Sequence, residues 1–143
     1  MPDQAGVRIR PYLEADEAEV VALWKGNSPT YSPWNEPHAS IRRKLAVQRD
    51  LFLVGEREGR IVGTVMAGYD GHRGWIYSLA VTPEHRRCGI ARLLMGEAEQ
   101  RLRALGCPKI NLQVLSSNAE VISLYEKLGY AVEERFSLGK PLV

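Results

Sequence analysis

The stretch from Trp75 to Val114 constrains the fold more than any other part of the chain. Trp75 to Val81 is a short apolar run ended by Thr82-Pro83, the signature of a strand followed by a break. From about Gly89 to Leu105, the residues Ile90, Leu93, Leu94, Ala98, Leu102 and Leu105 recur at helical spacing on one face, and Gly106 and Pro108 stop the helix. Ile110-Asn111-Leu112-Gln113-Val114 then alternates as a second strand. A strand, a one-faced helix and another strand in immediate succession demand a crossover, which predicts a right-handed parallel connection covered by the helix.

The remaining segments surround that unit. Val7-Arg8-Ile9-Arg10 alternates as a half-buried first strand. Asp16 with Glu19 forms a capping-box pattern before the stripe Val20, Val21, Leu23 and Trp24, and Gly26-Asn27 ends that helix. Pro29, Pro33 and Pro37, with Tyr31 and Trp34 between them, make Asn27 to His38 an ordered loop, and a short helix follows from about Ser40 to Gln48. Leu51 to Val54 and Ile61 to Ala67 pair about the turn Glu58-Gly59, and Asp70 to Gly74 turns the chain into the Trp75 strand, which completes an antiparallel meander. Beyond the crossover, Ser117 to Leu128 reads as a helix with a Ser117/Glu120 capping box, and Ala131 to Leu138 as a final strand. The expected class is α/β (α+β): a mixed central sheet of about six strands with about four helices. A chain of 143 residues is expected to form one domain over 1–143.

Composition removes several functional classes. The two cysteines, Cys88 and Cys107, and the three histidines, His38, His72 and His85, have no metal-ligand spacing, so no metal is expected. A net charge of +2, with basic residues gathered only at Arg42-Arg43-Lys44 and Arg86-Arg87, argues against a nucleic-acid partner. With no apolar stretch long enough to span a bilayer and no secretory leader pattern, the expectation is a cytoplasmic protein without a membrane partner. A homodimer is compatible with all of this.

Arg86-Arg87-Cys88-Gly89-Ile90-Ala91 lies between the apolar strand and its helix. Backbone N–H groups at a helix start lack intrahelical acceptors, and the helix dipole adds positive potential, so this is a seat for an anion. Gly89 permits close approach because it has no Cβ. The pattern Arg86-x-x-Gly89-x-Ala91 after Leu79-Ala80-Val81-Thr82-Pro83, with Asn118 and Tyr125-Glu126-Lys127-Leu128-Gly129-Tyr130 downstream, resembles the GNAT superfamily of acyl-CoA-dependent N-acyltransferases. Ser32-Pro33-Trp34-Asn35, Tyr69 to Gly74 and Ser137-Leu138-Gly139-Lys140 resemble more narrowly the small bacterial YpeA-like subgroup.

The resemblance implies that acetyl-CoA is the co-substrate. Its pyrophosphate would lie against the amides of Arg86, Arg87, Cys88, Gly89, Ile90, Ala91 and Arg92, and its pantetheine along Leu79, Ala80 and Val81 as an added strand. An amide of that strand would polarise the thioester carbonyl. Tyr125 corresponds to the family's general-acid tyrosine, and Asn118 to a cofactor contact. Periodicity alone also allows Tyr125 to be a packing residue, since Val121, Ile122, Leu124 and Leu128 share its helix.

The implied activity is transfer of acetyl from acetyl-CoA to a primary amine, small or protein-borne, by direct attack in a ternary complex. An N-terminal or lysine acetyltransferase and a non-catalytic acetyl-CoA sensor are the alternatives. The central strand reads Trp75-Ile76-Tyr77-Ser78-Leu79 without a carboxylate, and Gln113 stands where related ribosomal-protein acetyltransferases have a glutamate. Deprotonation of the amine is therefore expected through water, helped by Tyr77, Ser78 or His72. His72, Tyr77 and Trp34 are the candidate acceptor contacts.

Overall fold

The computed structural model describes residues 6–28 and 30–142. Its elements run β1 (Val7–Pro11), α1 (Glu17–Asn27), α2 (Pro37–Gln48), β2 (Phe52–Arg57), β3 (Arg60–Tyr69), β4 (Gly74–Val81), α3 (Ile90–Ala104), β5 (Ile110–Leu112) and α4 (Ala119–Lys127). The sheet order follows the chain, β1-β2-β3-β4-β5. β1 to β4 are antiparallel, and β5 joins β4 in parallel, as the crossover pattern requires.

Alternation along the strands sorts the core into two layers. Phe52, Val54 and Met66 pack with Val20, Val21 and Ile41 beneath α1 and α2. Leu53, Val65, Ala67 and Ile76 pack with Ile90, Leu94, Met95, Ala98, Leu102 and Tyr125 beneath α3 and α4. Tyr12 stacks on Phe52 at 4.5 Å between ring centroids, which fixes the first layer where the chain enters α1. Gly63 lets α3 approach the sheet, because a Cβ there would stand 2.9 Å from Leu94 Cδ1 and 3.1 Å from the Ala80 carbonyl. The N-terminus of α3 is thereby seated at the end of β4.

Four expectations need correction. Residues 131–138 do not form a sixth strand. They lie beside β5 through side chains only, with Lys109 and Asn111 bonded to Glu133 and Gln113 bonded to Ser137. Glu133-Glu134-Arg135 interrupts any apolar face, and Val132, Phe136 and Leu138 are exposed, so no burial holds the segment in a ladder. The Asp16/Glu19 capping box is not made. The Asp16 carboxylate instead accepts from the two terminal guanidinium nitrogens of Arg10, at 2.8 and 2.9 Å, and from Leu13 N–H, while Glu19 accepts from Ile61 N–H.

Helix α2 begins at Pro37 rather than near Ser40, because the Glu36 carboxylate caps it by accepting from His38 N–H and Ala39 N–H. Helix α4 begins at Ala119, so the Ser117/Glu120 box is also absent. A turn closed by Asn118 N–H to the Leu115 carbonyl at 2.8 Å takes its place. Of the prolines between Asn27 and His38, Pro29 lies outside the described residues.

Candidate active site

The β4–β5 ladder contains only the pairs Gly74↔Ile110, Trp75↔Asn111 and Ile76↔Leu112. β4 continues to Val81 while β5 ends at Leu112, so the two strands part after Ile76. Leu79, Ala80 and Val81 line the β4 side of this opening, each half-buried. A strand flank without a partner can accept an extended ligand by strand addition.

β4 also carries a bulge at the point of parting. Thr64 pairs with Ala80 and Met66 with Tyr77, so Val65 alone faces both Ser78 and Leu79. Ser78 has a positive φ of 53°, unusual for a residue with a Cβ. Its carbonyl accepts a hydrogen bond from the Thr64 hydroxyl at 2.9 Å, and that hydroxyl accepts from Trp24 Nε1–H at 2.9 Å. Thr64 is completely buried. Sequence reasoning missed Thr64, whose signal was a single hydroxyl inside the apolar run Ile61 to Ala67, and it read Trp24 only as part of an apolar stripe.

Beyond Val81 the chain turns into α3. Arg87 at φ 62° and Gly89 at φ 80° are both left-handed, and Gly89 is the residue before the first helical turn. A left-handed residue next to a right-handed one makes successive N–H groups converge, and here they converge at the start of a helix of 15 residues. Residues 86–92 thus present a backbone cradle for an anion, with Arg92 and Arg87 exposed at its rim and Cys88 and Ala91 half-buried.

Two of the expected contacts have other duties for their side chains. Ile90 is buried in the core, so only its backbone faces the cradle. The Arg86 guanidinium donates to Asn27 Oδ1 at 2.9 Å and to the Val81 carbonyl at 3.3 Å, tying the cradle to the end of α1.

Tyr125 sits in α4 and is 8% exposed, in the same apolar cluster against which Leu79, Val81 and Cys88 pack. Burial pushes its phenol up to about 12, so it stays protonated at neutral pH. Its ring meets Tyr130 edge to face at 5.8 Å, and the Tyr130 hydroxyl donates to Glu99 at 2.8 Å. Asn118 is exposed immediately before α4. A cleft of about 840 Å³ has Trp75, Gln113, Tyr125 and Phe136 among its walls, and Leu79 to Val81 and residues 86–92 are not among them.

Of the candidate acceptor contacts, Tyr77 lies in β4, His72 in the β3–β4 turn and Trp34 between α1 and α2. Tyr77 is 52% exposed, and partial burial with Asp70 nearby raises its phenol. His72 is exposed in the turn that Asp70 closes by accepting from His72 N–H and Arg73 N–H, both at 2.8 Å. Trp34 is 45% exposed in a single helical turn between α1 and α2, where its carbonyl accepts from Arg43. Lys44 reaches the Ala67 carbonyl, and burial brings its ammonium down to about 8.

No group of three or more potential metal ligands occurs among the described residues, and none of their helices is long and apolar enough to cross a membrane.

A mixed sheet whose parallel strands part beside a helix N-terminus defines a class of protein that holds an extended, anion-tailed ligand. The sequence matches the acetyltransferase (GNAT) family over residues 18–130, and the chain belongs to that family. An acetyltransferase of Yersinia enterocolitica is 45% identical over 137 residues, covering 96% of each chain. Among solved structures, Ard1 from Thermoplasma volcanium superposes with a TM-score of 0.81 at 23% identity, covering 90% of this chain and 85% of that one. The aminoglycoside N-acetyltransferase AAC(6')-Iy, solved in complex with CoA, superposes with a TM-score of 0.79 at 18% identity, covering 100% of this chain and 99% of that one. The chemistry of the family is acyl-CoA-dependent N-acetyl transfer.

Proposed function

We propose that this chain acts as a single cytoplasmic GNAT domain that transfers acetyl from acetyl-CoA to a primary amine by direct attack within a ternary complex. The observation that carries this reading is the parting of β4 from β5 directly before the left-handed pair Arg87 and Gly89 at the start of α3. The opening fits a pantetheine arm lying along Leu79 to Val81, and the cradle at residues 86–92 fits its pyrophosphate.

In this reading the amine nitrogen attacks the thioester carbon, and the Leu79 N–H donates to the oxygen as negative charge develops there. Collapse breaks the C–S bond, and the Tyr125 hydroxyl donates to the departing sulfur. The proton lost by the amine leaves through water near Tyr77, Ser78 and His72, since Gln113 takes no proton. Trp34, His72 and Tyr77 face the acceptor, and Asn118 contacts the cofactor beside α4.

The replacement of a carboxylate by Gln113 favours one second reading, a domain that senses acetyl-CoA without turnover. Thermal stabilisation by acetyl-CoA, followed by thiol release across small amines, lysine peptides and peptide N-termini, tests both. The expected result is stabilisation with release on one acceptor class. No stabilisation would sink the cofactor assignment, and stabilisation with no release on any acceptor would favour the sensor.

A further inference from the structure

The Trp24–Thr64–Ser78 chain of hydrogen bonds links the first helix layer to the backbone of the central strand, and the family chemistry above makes no use of it. The bond order is settled by donors. Indole Nε1–H can only donate, so Thr64 Oγ accepts from Trp24, and its own proton is then directed to the Ser78 carbonyl. Both bonds measure 2.9 Å, and Thr64 is fully buried.

A bond from a buried hydroxyl to this carbonyl sets the direction of the peptide. The carbonyl of Ser78 is drawn toward β3 and α1, out of the ordinary ladder. Because the peptide is planar and trans, the Leu79 N–H must point the opposite way, away from β3. That is the side on which β4 and β5 part beyond Ile76↔Leu112. Ser78 stands in the bulge with φ 53°, a conformation uncommon for a residue that is neither glycine nor asparagine, and the capture of its carbonyl supports that conformation.

We infer that Thr64, oriented by Trp24, is a positioning residue that holds the Ser78–Leu79 peptide so that the Leu79 N–H faces the thioester oxygen. This rests on the proposed acetyl-CoA reading. Thr64 acts through the backbone and touches no reacting atom. Without its hydroxyl, the Ser78 carbonyl would lose its buried donor, and the peptide would relax toward a regular strand that turns the Leu79 N–H out of the opening.

The thioester itself reports the difference. Isotope-edited infrared spectroscopy of bound acetyl-CoA labelled at the thioester carbon reads polarisation of the carbonyl as a fall in its stretching frequency, and needs no knowledge of the acceptor. The wild-type protein is expected to lower the frequency relative to free acetyl-CoA. T64V should lose most of that shift and at least tenfold of turnover on any accepted amine, with the cofactor dissociation constant within about twofold. T64S should restore the shift, and W24F should reduce it in part.

A wild-type frequency in both T64V and W24F would overturn the inference, as would a T64V defect that T64S fails to rescue. If T64V does not fold, a W24F frequency equal to that of the wild type overturns it alone and a reduced shift supports it. Failure of the wild-type protein to bind acetyl-CoA is a different result, because it removes the cofactor reading before Thr64 is reached.

Discussion

Replacing Gly89 by alanine separates backbone strain from ligand contact at the cradle. Gly89 has φ 80° and ψ 8°, so a Cβ there costs about 1–2 kcal/mol in conformation. The smaller entropy loss of alanine on folding returns about half of that, which leaves roughly 1 kcal/mol and a fall of about 4 °C in the melting temperature of the ligand-free protein. The second effect concerns acetyl-CoA. If alanine weakens binding tenfold, then at a concentration of about 100 wild-type dissociation constants the ligand stabilises the wild type by about 2.7 kcal/mol and the variant by about 1.4.

Gly106 supplies the control, because it has φ 83° at the far end of α3 with open space around its Cβ position. Gly106→Ala should show the same loss in the ligand-free protein and an undiminished ligand shift. Differential scanning fluorimetry of the three proteins across an acetyl-CoA titration measures both quantities. If Gly89→Ala kept the full ligand shift, the phosphate cradle would not lie at this backbone.

Two further outcomes follow from the surrounding residues. Tyr125→Phe should lower turnover about a hundredfold with little change in cofactor affinity, as read by thiol release and calorimetry. Since burial holds the Tyr125 phenol up at about 12, wild-type turnover should show no Tyr125-dependent fall between about pH 8 and 10, and a fall there that disappears in Tyr125→Phe would contradict the buried, raised phenol. Asp16→Asn should cost about 3 kcal/mol in urea unfolding near neutral pH, because the Arg10–Asp16 pair has side chains only 15% and 10% exposed. The bonded Arg10 guanidinium holds the Asp16 carboxyl below its ordinary range, so its contribution is present above about pH 4 and is lost as pH falls through the depressed value. The gap between wild type and variant should therefore close in acid, and a pH-independent gap would contradict the pairing.

The parts of the fold that could be read from the chain are those fixed by local pattern. The stripe from Ile90 to Leu102 and the stop at Gly106 place α3 and the crossover without any partner being known. Helix starts were less legible, because Asp16 and Glu19 fit a capping box locally yet are claimed by Arg10 and Ile61 from elsewhere in the chain. The segment from Ala131 to Leu138 has strand-forming residues, and the charged run Glu133-Glu134-Arg135 is the one sign in its sequence that it would sit beside β5 without backbone pairing.

At the site, Gly89 announces itself by type. The bulge at Ser78 does not, since the groups bonded to it are Thr64 and, through Thr64, Trp24, 14 residues and further away in sequence.

The three-pair ladder between β4 and β5 has a mechanical consequence. So short a seam leaves β4 beyond Ile76 and the stretch after Leu112 unjoined by ladder bonds. A ligand bonded along Leu79 to Val81 on one side and against that stretch on the other would act as a splint across the gap. Acetyl-CoA should then enter first and the amine second, with amide exchange in residues 113–118 slowing on the first addition.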